Sequence, residues 1–258
     1  MKLNGTKLIF AHRGASAYAP ENTLPAFRLA AEMGAFGVEL DVHLTRDGKI
    51  VDAHDDRIDR MTDGHGLIRE QTLDELRQYS FNCGRSEFGR VEIPTLEDVF
   101  CLLEPTGLYV NVEIKASGTD FVHMIHDCTR DCNMTERVIY SSFNHWNLTD
   151  MLEYDKDAFV APLYGSELVK PADYAKSFGA RAIHPHYAQI LNHPDIVARA
   201  NELGVRVHPW TVDDPDAIKR LCELDVGAII TNKPDVALEI AQGCKLSMAV
   251  SCVRSKAT

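Results

Sequence analysis

The sequence contains no apolar run close to the roughly 18 residues that a membrane-spanning helix needs, so we expect no transmembrane segment. It also lacks an excess of positive charge: lysine and arginine total 27 against 38 aspartates and glutamates, a net charge of −11. Without a basic stripe, binding to nucleic acid or to an anionic membrane surface is disfavoured. We therefore expect a small-molecule partner, no nucleic acid and no stable membrane insertion.

A regular cysteine pattern is missing as well. The seven cysteines are odd in number and irregularly spaced, which is typical of reduced thiols rather than of a disulfide framework. The first residues, MKLNGTKLIFAHRG, are too polar for a signal peptide. Both observations predict a cytoplasmic protein. Cys128 and Cys132, with His123 and His126 just upstream, would allow a zinc site, although ordinary helix positions are the interpretation that we favour.

Short apolar runs alternate with longer helical patterns along the whole chain. We count eight strand segments, each followed by a helix, and such repeated βα units imply a parallel sheet. Eight units in about 240 residues fit a closed (β/α)₈ TIM-like barrel of the α/β class. A doubly wound open sheet is the alternative. No Gly-x-Gly-x-x-Gly follows the first strand, which weakens its dinucleotide-binding form.

One segment is too long for an ordinary connection. Residues 56–92 follow the second strand and its short extended excursion, and they include a short helix signal at Thr72–Tyr79. We predict that residues 1–243 form a catalytic barrel in which 56–92 are an inserted subdomain or lid, capping one side of the barrel mouth. Residues 244–258 would then be a C-terminal tail, in which we find no functional signal.

Charged side chains concentrate at the C-terminal ends of the predicted strands, where barrel enzymes have their active sites. Glu39 and Asp41 are two residues apart and so point the same way, and Glu113 lies on a neighbouring strand. Three converging carboxylates would repel each other without a cation, and oxygen ligands select Mg²⁺ or Ca²⁺. The alternative is a salt-bridge cluster with Arg13 and Lys115.

Two histidines follow different strand segments at the same edge. A histidine side chain ordinarily titrates near neutrality, so His12 and His54 are candidates for general acid and base. Arg13 carries a planar fork that suits phosphate, and Gly14 would let a phosphate approach the backbone. Trp210, at a later strand end, either walls the substrate or packs in the core.

Two further sets of residues receive weaker predictions. His184 and His186 would face one side together, and contacts around the substrate are favoured over a zinc pair. Ser142 lacks the context of a nucleophile elbow, so a Ser-His-Asp hydrolase is disfavoured.

Several longer segments form an ordered series. The first half contains AHRGASAYAPENTLPAF, VELDVHLTRDGKIVDAHDDRIDRMTDGHG, IPTLEDVF and VNVEIK, and the second half contains SSFN, WTVDD and GAIITNKPD. Over about residues 8–240 this series resembles the glycerophosphodiester phosphodiesterase family. The resemblance implies a TIM-like barrel and a divalent metal, Mg²⁺ or Ca²⁺.

The resemblance also implies a role for each candidate residue. The acid/base pair would be His12 and His54. The metal ligands would be Glu39, Asp41 and Glu113. The substrate contacts would be Arg13, Lys115 and Trp210. One departure is Asn232, where an aspartate is common.

The implied activity is metal-dependent hydrolysis of glycerophosphodiesters to glycerol 3-phosphate and an alcohol, within lipid and glycerol metabolism. Which histidine is the base stays open, as does the choice between water and the glycerol 2-hydroxyl as nucleophile. Two rivals remain. A phospholipase D-like activity on lyso- or sphingophospholipids would need a hydrophobic mouth. A binding protein without turnover is opposed by the intact pair of histidines.

Overall fold

The computed structural model describes residues 8–255, with side chains as far as residue 244. Its strands, in chain order, are β1 (Leu8–His12), β2 (Gly37–Leu44), β3 (Ile50–Asp52), β4 (Tyr109–Ile114), β5 (Val138–Ser142), β6 (Val160–Tyr164), β7 (Ala182–Pro185), β8 (Arg206–Val207) and β9 (Ala228–Thr231). Eight of them are parallel, in the order β8-β7-β6-β5-β4-β2-β1-β9, and β3 pairs with β2 in the antiparallel direction.

Backbone hydrogen bonds bring the two ends of this strand order together. Gly227 N donates to Val207 O at 2.9 Å, and Val212 N donates to Ile230 O at 2.9 Å. These bonds join the chain around β8 to β9, which gives a nearly closed barrel of eight parallel strands. The prediction of a TIM-like α/β barrel is therefore confirmed.

Helices cover the outside of the barrel. In chain order they are α1 (Leu24–Glu32), α2 (Leu73–Leu76), α3 (Leu96–Leu103), α4 (Thr119–Asp131), α5 (His145–Tyr154), α6 (Pro171–Ser177), α7 (Tyr187–Asn192), α8 (Asp195–Leu203), α9 (Pro215–Glu223) and α10 (Pro234–Ser255). Short local signals begin several of them. Thr95 and Asp98 form a capping box at α3, and Thr72 and Glu75 form one at α2. Across residues 8–255, no helix combines the length and apolar character that crossing a membrane requires.

The hydrophobic pattern predicts a helix over 96–103, which agrees with α3, but three other elements differ from the pattern. The pattern predicts a single helix over 188–203, but Pro194 lacks a backbone N–H and separates α7 from α8. It predicts a strand over 205–210, which is reduced to β8 because Pro209 offers no donor to the ladder. It predicts a last helix that ends at Gln242, yet α10 continues to Ser255, because a lone Gly243 weakens a helix without ending it. Residues 256–258 of the predicted tail lie outside the described residues.

The alternation of side chains along each strand separates two cores. Ile9 and Ala11 point outward into the large core between strands and helices. Phe10 points inward, with Ile139, Ala161 and other small or branched residues that fill the barrel. Gly37 makes room there, because a Cβ at this position would lie 2.6 Å from the Phe10 ring.

The inserted segment packs with β3 and the residues that flank it around a hydrophobic core separate from that of the barrel. That core consists of Val51, Ala53, Ile58, Met61, Ile68, Leu76, Phe81 and Ile93, all buried. Arg85 Nη2 donates to Ser16 O at 3.0 Å, which ties the segment to the loop after β1. The segment therefore lies beside the C-terminal edge of the barrel, where the predicted site residues gather.

Candidate active site

The three predicted carboxylates converge at the C-terminal end of neighbouring strands. Glu39 and Asp41 lie on β2, and Asp41 is in register with Glu113 on β4. All three are buried, and one oxygen from each lies within 4.8 Å of the others. Burial and the neighbouring carboxylates raise the pKa of Glu39 well above its usual value and that of Glu113 to about 7. Burial of three neighbouring carboxylates thus makes it costly for all of them to be ionised together without a cation.

Two cations contact this cluster. Lys115 Nζ donates to Glu113 Oε1 at 2.7 Å and lies 3.1 Å from Asp41 Oδ1. Arg13 Nε lies 3.4 Å from Asp41 Oδ2. Burial opposes ionisation of Asp41, but Lys115 and Arg13 outweigh it and lower its pKa to about 2. Both predicted phosphate contacts therefore lie directly beside the predicted metal ligands, and the salt bridges of the alternative interpretation are also present.

The turn after β1 positions Arg13 through its backbone. Arg13 has φ 55°, and its N–H donates to Glu39 Oε2 at 3.0 Å. Gly14 follows with φ 78°, and a Cβ there would lie 2.7 Å from the Ala26 backbone on α1. Close packing on α1 thus accounts for Gly14, where the sequence had suggested close approach of a phosphate.

His12 is held by an amide on the last strand of the barrel. Its Nδ1–H donates to Asn232 Oδ1 at 2.7 Å, and Asn232 Nδ2 donates to Asp213 Oδ2 at 2.5 Å. His12 Nε2 then points to the carboxylates and lies 3.8 Å from Glu39 Oε2. Burial and the nearby Arg13 lower the pKa of His12 to about 4. At neutral pH the His12 ring is therefore neutral, with Nε2 unprotonated.

His54 is held by a carboxylate instead. Its Nδ1–H donates to Asp55 Oδ1 at 2.6 Å, and Arg60 Nε donates to Asp55 Oδ2 at 2.7 Å. Burial opposes ionisation of Asp55, but the hydrogen bonds from Arg60 and His54 outweigh it and lower its pKa to about 2. The two histidines thus have different partners on Nδ1, an amide for His12 and a carboxylate for His54.

Both histidines border one small cavity of about 70 Å³. Its lining combines two cations, Arg13 and Lys115, with apolar side chains that include Leu163 and Trp210. Trp210 is fixed because its Nε1–H donates to His184 O at 2.7 Å, and its ring meets Phe143 edge-on at 5.6 Å between centroids. The structure therefore brings together all eight predicted site residues: His12, Arg13, Glu39, Asp41, His54, Glu113, Lys115 and Trp210.

Other candidates lie elsewhere. His184 is buried inside the barrel, where its Nε2 lies 3.0 Å from His208 Nδ1, and it is absent from the cavity wall. Ser142 is buried and donates to Ile114 O. His126 pairs with Asp155 rather than with the cysteines of α4. Among residues 8–244, the three carboxylates are the one group of at least three possible metal ligands, so the zinc site is not formed.

Sequence reasoning missed the residues that hold the site in place. Asn22 Nδ2 donates to Asp41 Oδ2 at 2.8 Å, from a left-handed position with φ 54°. Glu21 Oε1 accepts from Arg13 Nη1 at 3.1 Å, and Asp213 orients Asn232. Glu21 and Asn22 stand in the PENT stretch of the first segment that carries the family resemblance, but the sequence assigns neither residue a role. Asp213 stands in the quoted WTVDD segment, also without a role, because its partner Asn232 is reached only through the closed barrel.

A barrel of parallel strands whose C-terminal edge joins three carboxylates, two anchored histidines and two cations is the arrangement expected of a metal-dependent phosphoric diester hydrolase. Comparison with known proteins specifies the class further. The sequence matches the Glycerophosphoryl diester phosphodiesterase family over residues 12–236, and the chain belongs to that family.

Known relatives agree with this assignment. A glycerophosphodiester phosphodiesterase of Caldanaerobacter subterraneus is 38% identical over 240 residues, which cover 91% of this chain and 98% of the relative. A phosphodiesterase of Oleispira antarctica, solved in complex with the product sn-glycerol-3-phosphate, is 25% identical with a TM-score of 0.84, covering 92% of this chain and 97% of that one. A Silicibacter pomeroyi structure, described as a putative glycerophosphoryl diester phosphodiesterase, shares the fold, with a TM-score of 0.85 at 23% identity and coverage of 92% and 94%.

Proposed function

We propose that this enzyme hydrolyses glycerophosphodiesters to glycerol 3-phosphate and an alcohol such as choline, ethanolamine or glycerol. The observation that carries the proposal is the charge arrangement around one cavity, where three buried carboxylates meet Arg13 and Lys115 between two anchored histidines. The Oleispira antarctica relative, solved with sn-glycerol-3-phosphate, supports the identity of the product.

A divalent cation, Mg²⁺ or Ca²⁺, fits the carboxylate cluster. Glu39, Asp41 and Glu113 would hold it, because carboxylate oxygens are the donors that hard cations prefer. The raised pKa values of Glu39 and Glu113 support this assignment, because burial and the neighbouring carboxylates oppose ionisation and a bound cation would offset both. When bound, the cation would polarise the phosphoryl group and stabilise the negative charge of the transition state.

Arg13 and Lys115 would recruit and orient the phosphodiester. The protein as a whole is acidic, so an anion needs local positive charge to enter the cavity. Burial lowers the pKa of both cations, but neighbouring carboxylates, Asp41 first, outweigh it and raise the pKa overall, so both side chains stay charged. The guanidinium fork can bind two phosphoryl oxygens, while the ammonium acts as a point charge.

The two histidines would move the protons. His12 is suited to accept the proton of the nucleophile at Nε2, because Nδ1 keeps its hydrogen in the bond to Asn232. His54 is suited to donate a proton from Nε2 to the leaving oxygen, because Asp55 holds the Nδ1–H and balances a positive ring. Water or the glycerol 2-hydroxyl can serve as nucleophile in this arrangement.

The inserted segment 56–92 would restrict which alcohol enters. The separate buried core around it and the Arg85 bond to Ser16 hold it beside the loop after β1, which begins with Arg13. We also propose a cytoplasmic location, supported by the free thiols of Cys83, Cys101, Cys128, Cys132 and Cys244.

The test is release of glycerol 3-phosphate from glycerophosphocholine, with EDTA and after restoring Mg²⁺ or Ca²⁺. We expect turnover that EDTA abolishes and a divalent cation restores. The Glu39→Gln variant should stay inactive at every metal concentration. Turnover that is equal with and without EDTA would contradict the metal assignment, and absence of turnover on any glycerophosphodiester would contradict the proposed substrate class.

One observation favours a second candidate. Phe143 and Val169, in the loops after β5 and β6, are 49% and 92% exposed, and Phe143 also lines the cavity. An apolar rim of this kind suits an acyl chain, as a phospholipase D-like activity on lysophospholipids requires. Release of choline from lysophosphatidylcholine, measured beside glycerophosphocholine, compares the two candidates directly.

A further inference from the structure

Arg60 makes more contacts than its exposed position suggests. It belongs to the inserted segment, and 49% of its side chain is accessible to solvent. Its Nη2 donates to Glu21 Oε1 at 2.8 Å, and its Nε donates to Asp55 Oδ2 at 2.7 Å. The two carboxylates come from different loops, one after β1 and one after β3. One guanidinium therefore joins the inserted segment to two parts of the barrel mouth.

Each of these carboxylates also holds a residue of the proposed machinery. Asp55 accepts from His54 Nδ1 at 2.6 Å, and Glu21 accepts from Arg13 Nη1 at 3.1 Å. Arg60 is thus the shared partner of two arms, one ending at the proposed acid and the other at a proposed phosphate contact. Because Arg13 and His54 have predicted roles in substrate binding and proton transfer, the contacts of Arg60 bear on both steps.

We propose that Arg60 is a positioning residue, which orients His54 through Asp55 and Arg13 through Glu21. The proposal rests on the function given above, because it assigns Arg60 a role in that same site. The cause is geometric: a planar fork can satisfy two carboxylates in fixed directions at once, which a single ammonium cannot do. Without the fork, each carboxylate is free to rotate, and the side chain bonded to it loses its direction.

Burial of the partners distinguishes this network from ordinary surface ion pairs. Isolated exposed pairs contribute little, because solvent and salt screen them. Here Glu21 exposes only 18% of its side chain and Asp55 31%. Burial opposes ionisation of Glu21, but Arg60 and Arg13 outweigh it and lower its pKa. The same hydrogen bonds that keep Glu21 charged also fix its direction.

Arg57 offers a matched control. It lies in the same segment with 52% of its side chain exposed, and its Nη2 donates to Asp59 Oδ1 at 3.1 Å within that segment. Removing Arg57 therefore tests the loss of an exposed arginine and its ion pair without touching either arm. Arg57→Ala should keep kcat and KM within about two-fold of the unmodified enzyme, as expected for a surface substitution.

The kinetic test separates the two arms. Arg60→Ala should lower kcat by about 10- to 100-fold and raise KM several-fold, since small misplacements of catalytic groups cost rates of this order. Asp55→Asn should lower mainly kcat, and Glu21→Gln should raise mainly KM. Because the arms share one junction, Arg60→Ala combined with Asp55→Asn should lose little more kcat than either single variant. Arg60→Lys should restore one parameter in part and leave the other impaired.

Nitrogen-15 NMR of the histidine rings gives a readout that needs no turnover. The His54 resonances should move in Arg60→Ala and stay in place in Arg57→Ala. Wild-type turnover of glycerophosphocholine checks the proposed function separately, so an inactive wild type with a moved His54 resonance would overturn the function and support the positioning role. Multiplicative losses in the double variant, or Arg60→Ala that matches Arg57→Ala in kinetics and NMR, would overturn the positioning role.

Discussion

His12 is held by an amide and His54 by a carboxylate, and the roles proposed on that basis differ. We therefore expect the alanine variants of the two histidines to depend differently on the leaving group of the substrate. His54→Ala removes the proposed acid, and His12→Ala removes the proposed base. General acid–base catalysis contributes about 10²–10⁴-fold, so each variant should lose about that factor in kcat on glycerophosphocholine. The Asp55 bond to His54 at 2.6 Å and the Asn232 bond to His12 at 2.7 Å suggest comparable positioning, so neither loss should be negligible.

The assay repeats both variants on a nitrophenyl phosphodiester, whose leaving group departs without a proton. His54→Ala should then recover to within about ten-fold of the unmodified enzyme, because the step that His54 assists no longer limits the rate. His12→Ala should stay impaired on both substrates, since the nucleophile still needs a base. The double variant should be far less than multiplicatively worse on glycerophosphocholine, because the pair acts as a unit.

Folding and metal binding are the controls for this comparison. His54 is only partly buried, with 34% of its side chain exposed, so its removal leaves no sealed cavity. Both variants should melt near the wild-type temperature and bind Mg²⁺ normally. Recovery of His12→Ala instead of His54→Ala would reverse the proposed roles. Losses of only a few-fold in both variants, or loss of the metal in both, would refute acid–base catalysis by this pair.

Three further predictions concern the carboxylates and their partners. Asn22→Ala removes the amide that orients Asp41 and should raise the Mg²⁺ concentration for half-maximal activity by roughly 10–100-fold. Asp41→Asn removes a proposed ligand itself and should raise that concentration further. Titration of activity with Mg²⁺ measures both effects. Because the pKa of Glu113 is raised from 4.5 to about 7, the folded protein holds a proton there that the unfolded chain has lost. The contribution of Glu113 to stability therefore falls as the pH rises from 4.5 to about 7. In EDTA, the melting temperature of Glu113→Gln should fall less between pH 5 and 8 than that of the wild type. An equal fall in melting temperature for the two proteins would contradict this cause. Asn232→Asp would place a second carboxylate 2.5 Å from Asp213 Oδ2, where the two negative charges repel each other. The free energy of unfolding in urea should fall by about 1–3 kcal/mol at pH 8 and by less at pH 5. An unchanged midpoint of urea unfolding at pH 8 would contradict this repulsion.

The elements that were predicted correctly are those with strong local signals. The α3 helix agrees at both ends, since Thr95 begins it with a capping box and its apolar spacing is helical throughout. Glu39, Asp41 and Glu113 could be placed together because parallel strands end at one edge of a barrel. The missed break between α7 and α8 had a signal in Pro194, which the apolar pattern on both sides outweighed.

Contacts between distant parts of the chain could not be read from the sequence. The bond between His12 and Asn232 joins residues 220 positions apart, and it depends on β1 lying beside β9 in the closed barrel. The orientation of the Arg60 side chain, which bonds to two carboxylates, depends in turn on how the inserted segment packs. The sequence alone assigned Gly14 to the approach of a phosphate. In the structure, a Cβ at this position would meet the Ala26 backbone, a contact that only the geometry of the turn produces.

The separate core around the inserted segment would place the two histidines of the proposed acid–base pair in different folding units. His12 ends a barrel strand, while His54 directly follows Ala53, which is buried in the second core with Val51 and Ile93. Contiguous units of this kind open and close cooperatively and independently of one another in many proteins. A subglobal opening of the insertion that also broke the β2–β3 pairing would displace His54 while the barrel and its carboxylates stayed folded. The proposed activity would then depend on the docking of these two units, and hydrogen exchange of the insertion would report on the fraction of enzyme that is assembled.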